Sequence, residues 1–240
     1  MHDGQAVPRR IGIIPARGGS KRVPRKNIRD FCGKPMMAHI LAAAAASGLF
    51  DVLHVSTEDP EIMAIAADLG YPVHFPRPMA LADDHTGLMP VLKSVVHTFQ
   101  SMGYAFDQVV LLMACSPLID AEDLQQAAAL FAQVGGQAPV LSMAPYAVPI
   151  EWAFSRQASG AIIPVQPGMF ATRSQDLEPR YYHTGNYVFF PTERVLRDGP
   201  VDQSGYVGHI LPKWKGIDID DDEDWYLAEA LFRTLHAKKK

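Results

Sequence analysis

The strongest constraint on this chain is the stretch Ile11-Gly-Ile-Ile-Pro-Ala-Arg-Gly-Gly-Ser-Lys-Arg-Val-Pro-Arg-Lys-Asn27, an apolar run that breaks at Pro15 into a glycine-bearing loop crowded with cations. Ile11 to Ala16 are apolar and β-branched enough for a buried strand, and Gly18 and Gly19 can adopt conformations that turn several N–H groups into one concavity. Arg17, Lys21, Arg22, Arg25 and Lys26 add positive charge to the same loop. A strand feeding such a loop has the outline of a phosphate cradle. Gly-x-x-x-x-Gly-Lys-Ser/Thr and Gly-x-Gly-x-x-Gly cannot be laid over it, so neither P-loop hydrolysis nor dinucleotide binding is supported.

The opposite end of the chain is acidic, Gly216-Ile-Asp-Ile-Asp-Asp-Asp-Glu-Asp-Trp225. On a strand, Asp218 and Asp220 would project from one face while Ile217 and Ile219 turn into the core. Two carboxylates beside a polyphosphate suit Mg²⁺, which takes hard oxygen ligands and keeps several waters. Asp221, Asp222, Glu223 and Asp224 read instead as the acidic first turn of a helix through His236.

Between these ends, strand and helix signals alternate. Pro35 opens a helix that Gly48 ends, and Val52 to Thr57 forms a strand whose polar exit, Ser56 to Asp59, caps a helix stopped at Gly70. Val73 to Phe75 reads as a short third strand, followed by a helix from Leu88 to Met102 and a continuous apolar strand from Gln108 to Ala114. Asp120 caps a helix through Gln133, and Val140 to Ala144 supplies another strand. This order predicts a Rossmann-like three-layer α/β/α fold with a mainly parallel sheet, whose ligands gather at the carboxyl ends of the strands. Residues 1–240 form one domain, with a proline-punctuated excursion at about 145–190.

A formal charge of −4 argues against a nucleic-acid surface, so the basic loop should face a small anion. Cys32 and Cys115 make no disulfide or metal pattern, and no long apolar run is present; the expectation is a cytoplasmic protein, neither exported nor membrane-spanning. Residues 1–10 read as a loose leader and Lys238 to Lys240 as a solvated tail.

The wording Pro15-Ala-Arg-Gly-Gly-Ser-Lys21, followed by Pro24 and Lys26-Asn27, resembles the opening of the CMP-sialic acid synthetase family, nucleotidyltransferases that activate acidic sugars with CTP. Ile217-Asp-Ile-Asp220 resembles that family's metal-binding pair, and Cys115-Ser-Pro-Leu118 stands where the family has Thr-Ser-Pro or Thr-Ala-Pro. Asp83-Asp-His-Thr-Gly87 and Arg173-Ser-Gln-Asp-Leu177 resemble the pseudaminic acid branch, whereas His183-Thr-Gly-Asn-Tyr187 departs from it and from the sialic and legionaminic branches.

The resemblance implies transfer of CMP from CTP to the anomeric hydroxyl of a nonulosonic acid, pseudaminic acid favoured, with release of pyrophosphate. Its alternatives are the CMP-N-acetylneuraminic, CMP-legionaminic and CMP-Kdo reactions, or a non-catalytic nucleotide-sugar binding protein. Arg17, Lys21, Asp218 and Asp220 would be catalytic, Asp218 and Asp220 through Mg²⁺. Ala16, Arg17, Gly18, Gly19, Ser20, Lys21, Asn27, Arg77, Asp84, Thr86 and Ser116 would contact CTP. Arg173 has the planar fork to bind the sugar carboxylate, and Gln175, Tyr182 and Asn186 could read hydroxyl or acylamino groups; all four could equally stabilise the excursion. In this family the excursion reaches to a partner subunit, which implies a homodimer.

Overall fold

The computed structural model describes residues 9–199 and 204–237. Of the expected leader at 1–10, residues 1–8 lie outside the described residues, as does the Lys238 to Lys240 tail, whereas Arg10 is buried and opens the first strand.

Along the chain, β1 (Arg10–Pro15) precedes α1 (Met36–Ser47), β2 (Val52–Ser56), α2 (Pro60–Asp68) and α3 (Leu88–Ser101). Then come β3 (Gln108–Leu112), α4 (Ala121–Gln133), β4 (Val140–Pro145), β5 (Tyr181–Pro191), α5 (Thr192–Leu196), β6 (Val207–Ile210) and α6 (Asp222–Ala237). The six strands form one sheet in the order β6-β4-β5-β3-β1-β2. β1 pairs parallel with both β2 and β3, and β6 with β4, while β5 runs antiparallel between β3 and β4. The mainly parallel α/β architecture is as expected.

Side-chain alternation divides the core into two layers. Ile14, Val110, Leu112, Tyr187 and Phe189 face α1, α2 and α4, while Ile11, Ile13, Val109, Leu111, Val188 and Phe190 face α3 and α5. Helix ends follow local chemistry. Asp59 accepts from the amides of Glu61 and Ile62 at the start of α2, Asp120 and Asp123 form a reciprocal capping box on α4, and Gly48 closes α1 in the left-handed region at φ 67°.

Three further expectations are corrected. Val73 to Phe75 is not a strand: prolines at 72 and 76 flank it, and its side chains pack instead, Phe75 stacking on His54 at 4.5 Å between ring centroids. Tyr181–Pro191 is no part of an excursion but an inner strand of the sheet, so the departure from the sheet ends near residue 180. Its small ribbon, Phe154–Arg156 against Ile162–Pro164, stands apart from the main sheet. Asp218 and Asp220 lie on no strand and have no ladder partners; the carbonyl of Ile219 is taken by a side chain, Lys26 Nζ, at 2.5 Å.

Candidate active site

The carboxyl ends of β1, β2 and β3 bring residues far apart in sequence to one rim. β1 delivers Ala16 and the basic turn, with the Ala16 amide bonded to the carbonyl of Ser56 at 2.9 Å. β2 delivers Thr57, Glu58 and Asp59. The Gly18 amide donates to Glu58 Oε1 at 2.9 Å, so a carboxylate rests on the loop N–H where an anion would bind. A Cβ on Gly18 would collide with the Asp59 carboxylate, which explains glycine there. Gly19 has open space around it and is exposed.

The cations of the turn divide into three groups. Arg25 is tied to Asp59 at 2.5 Å and also paired with Glu61; it adopts φ 57° and braces the turn against α2. Arg17 Nη1 lies 2.5 Å from Asp84 Oδ1 and 3.1 Å from the carbonyl of Asp83, while Lys21 pairs with the other oxygen of Asp84. Arg22 meets Asp220 at 2.8 Å, with Lys26 Nζ 3.7 Å from the same carboxylate oxygen. The basic turn and the acidic segment, almost the whole chain apart, therefore share one site. Arg29 adds an outer clasp, pairing with Asp222 at 2.8 Å and lying over the Trp225 ring at 4.4 Å. Val23, Phe31, Met36, Ile219, Trp225 and Ala228 form the apolar cluster beneath this junction.

Asp218 and Asp220 are the carboxylates of that junction. Partial desolvation, followed by the like charge of Asp220, raises the Asp218 carboxyl above the usual range although the residue keeps solvent access. Two crowded carboxylates, one disfavoured as an anion, form a donor set that a hard divalent cation would relieve. They fit Mg²⁺ with most of its shell left to water and phosphate. Among the described residues no group of three or more His, Cys, Asp or Glu side chains could hold a metal by itself.

The other nucleotide candidates take supporting positions. Asn27 is buried and donates to the carbonyl of Arg17 at 2.9 Å, fixing the turn from behind. Arg77 is buried against Ser56, Nε bonding its hydroxyl at 3.1 Å and Nη2 its carbonyl at 2.6 Å. Burial lowers the Arg77 pKa, with the Glu58 charge opposing. Ser116 is 2% exposed and caps a turn with its carbonyl. Asp83, rather than Asp84, organises the turn before α3 by accepting from the amides of His85 and Thr86 at 2.8 and 2.6 Å. Thr86 is half-buried beside it.

The four sugar candidates separate. Asn186 is 2% exposed and its side-chain amide donates to Thr184 Oγ1 and the Lys215 carbonyl, while the Tyr182 hydroxyl donates to the Gly216 carbonyl at 3.0 Å. These two hold the Lys215–Gly216 backbone against β5. Arg173 and Gln175 are exposed on the excursion, Arg173 paired with Asp176 at 2.8 Å. Among the described residues no hydrogen bond or ion pair links Arg173 to the basic turn or the acidic segment.

Sequence reasoning singled out neither Glu58 nor Lys215 for a role at the site. Glu58 carried a signal, an acid at the exit of a parallel strand; Lys215 carried none, because its partners lie in α4.

Residues 11–145 match the protein family described as Cytidylyltransferase. The pseudaminic acid cytidylyltransferase of Campylobacter jejuni is 33% identical over 225 residues, spanning 93% of this chain and 96% of that protein. The CMP-N,N'-diacetyllegionaminic acid synthase of Legionella pneumophila is 31% identical over 232 residues, 92% of this chain and 95% of its own. Among solved structures, a CMP:2-keto-3-deoxy-manno-octonic acid synthetase complexed with CTP superposes with a TM-score of 0.69 at 17% identity, covering 94% of this chain and 99% of that one, a likeness of fold.

Proposed function

The chain belongs to the cytidylyltransferase family, and on that premise we propose that it transfers CMP from CTP to the anomeric hydroxyl of a nonulosonic acid, pseudaminic acid before legionaminic or sialic acid, releasing pyrophosphate. The observation that carries this reading is the meeting of Arg22 and Lys26 with Asp220, which gathers the cations a triphosphate needs and the acids a divalent metal needs at one rim.

In the reaction the anomeric oxygen attacks the α-phosphorus and the bond to the pyrophosphate oxygen breaks, so negative charge builds on the leaving group. Arg17 and Lys21 exchange Asp84 for phosphate oxygens, the amides of Gly19 and Ser20 follow the same anion, and the Gly18 amide does so by exchanging Glu58 for it. Each well-aimed donor or cation of this kind contributes about 3 kcal/mol at a transition state. Asn27 and Arg77 keep the turn and the β2 exit in register while this happens. Asp218 and Asp220 would hold the Mg²⁺, which when bound neutralises phosphate charge and lowers the pKa of a coordinated hydroxyl.

Arg173 and Gln175 are the proposed contacts for the sugar acid, carried on the excursion. Phe154, Ile162, Ile163, Val165 and Phe170 expose apolar surface there, which supports a homodimer in which a second copy covers it. No helix among the described residues is long and apolar enough to cross a membrane.

The test is pyrophosphate release from CTP with Mg²⁺ over pseudaminic, legionaminic, sialic and Kdo acids, with product identified by mass. A CMP-sugar from pseudaminic acid is expected. Turnover with another acid alone would move the substrate assignment, and CTP binding without pyrophosphate from any acid would remove the enzymatic reading.

A further inference from the structure

Asp218 and Asp220 sit on chain that no ladder holds, so something else must fix them to the fraction of an ångström that metal ligation requires. The chain just before them is anchored with unusual completeness. Lys215 ends a short 3₁₀ turn, Lys213–Lys215, and is 6% exposed although its side chain is charged. Its Nζ lies 2.8 Å from Asp120 Oδ2 and 2.5 Å from Asp123 Oδ2, the two residues of the α4 capping box. Its carbonyl accepts from Asn186 Nδ2 at 3.1 Å, and the next carbonyl, Gly216, accepts from the Tyr182 hydroxyl. Gly216 is pressed against β4 and β5 so closely that an added Cβ would stand 2.8 Å from both Ala144 Cβ and the Tyr182 hydroxyl.

A buried ion pair is weak grounds for stability alone, since desolvation offsets most of its attraction. What Lys215 does here is join two rigid elements, the start of α4 and strand β5, to the chain leading into the acid pair. Downstream, Asp224 accepts from the amides of Asp220 and Asp221, and Ile219 is wholly buried. The acids are thus suspended between two anchors.

We infer that Lys215, with Tyr182 securing Gly216, is a positioning residue for the Asp218–Asp220 metal pair, so that loosening this clamp weakens metal binding while leaving nucleotide binding intact. The inference rests on the metal assignment made above.

The test uses the full chain as Lys215→Met, Tyr182→Phe and Asp220→Asn variants. Hydrogen exchange is followed in the metal-free protein, Mn²⁺ binding by electron paramagnetic resonance with CTP present, and CTP binding by calorimetry without metal. Lys215→Met should exchange faster at residues 217–220 and bind Mn²⁺ about tenfold more weakly, with metal-free CTP affinity unchanged, because Arg17 and Lys21 are untouched. Tyr182→Phe, which removes one hydroxyl, should show the same pattern more mildly and decides the matter if Lys215→Met does not fold. Unchanged exchange and Mn²⁺ affinity in the folded variants would overturn the inference. So would a rise in the KM for the sugar acid in Tyr182→Phe with metal binding intact. If Asp220→Asn abolishes Mn²⁺ binding while the clamp variants do not weaken it, only the clamp falls; if Asp220→Asn leaves Mn²⁺ binding unchanged, the metal assignment falls with it.

Discussion

The Asp84 carboxylate lies 2.5 Å from Arg17 and uses its second oxygen to pair with Lys21, so one acid neutralises the two cations expected to receive the triphosphate. Hydrogen bonds from Lys21 and then Arg17 hold the Asp84 carboxyl below its ordinary pKa, so it is an anion at neutral pH. Under the proposed function, an acid in this position would compete with phosphate for both cations. Asp84→Asn should therefore bind CTP and free pyrophosphate more tightly, by about two- to fivefold at low salt, the scale of an exposed ion pair. Calorimetry at two salt concentrations checks it; weaker CTP binding would make Asp84 a nucleotide contact instead.

Asp220 faces the basic turn with a side chain 38% exposed, paired with Arg22 and more distantly with Lys26. Pairs this open contribute little to folding. Asp220→Asn should consequently melt within a few degrees of the parent while turnover falls by at least about a hundredfold, the scale of losing one strong electrostatic contact at the reacting phosphate. Near-normal turnover in a folded Asp220→Asn protein would refute the role given to the acid pair.

How legible the site was in the sequence depended on how local its causes are. Strand β1, its break at Pro15, the Asp59 cap and the Asp120–Asp123 box are settled by neighbours a few residues away, and all could be read directly. The inner place of Tyr181–Pro191 could not, because it is set by pairing with β3 and β4 across the sheet while the prolines before it suggested irregular chain. Val73 to Phe75 had strand-like residues, yet the prolines around it leave too few amides for a ladder. Lys215 carried no signal in the sequence, since nothing nearby reveals that acids 92 and 95 positions earlier will bury it.

Gly216 and Gly33 offer a contrast between space and conformation. Gly216 has an ordinary φ of −87°, but a Cβ would meet Ala144 and the Tyr182 hydroxyl at 2.8 Å and Thr184 Cγ2 at 3.0 Å. Gly33 has φ 89° and open space. Gly216→Ala should lose about 1–3 kcal/mol by overpacking and also lose turnover, because the displaced chain carries Asp218. Gly33→Ala should lose about 1–2 kcal/mol through backbone strain alone and keep its turnover. Denaturant melts and initial rates measured on both variants check this; equal turnover losses would break the link between the Gly216 contact and the acids.

His54 provides the pH test. It is 1% exposed on β2, stacked on Phe75 and edge-on to Phe99, with Nδ1 3.4 Å from His74 Nδ1 and Nε2 buried without a partner. Burial first, then the charges of His74 and Arg77, push its pKa down to about 3. In the unfolded chain an ordinary histidine titrates near 6.5, so between about pH 6.5 and pH 3 the unfolded state binds a proton that the folded state refuses. Stability from this group is therefore fully present above pH 6.5 and falls as the solution is acidified, by at most about 1.4 kcal/mol per pH unit. His54→Phe keeps an aromatic ring without the titration. The stability of the parent relative to this variant should fall by about 1 kcal/mol between pH 7.5 and 5.5 in urea melts. A difference that stays constant over that range would mean His54 accepts its proton inside the fold.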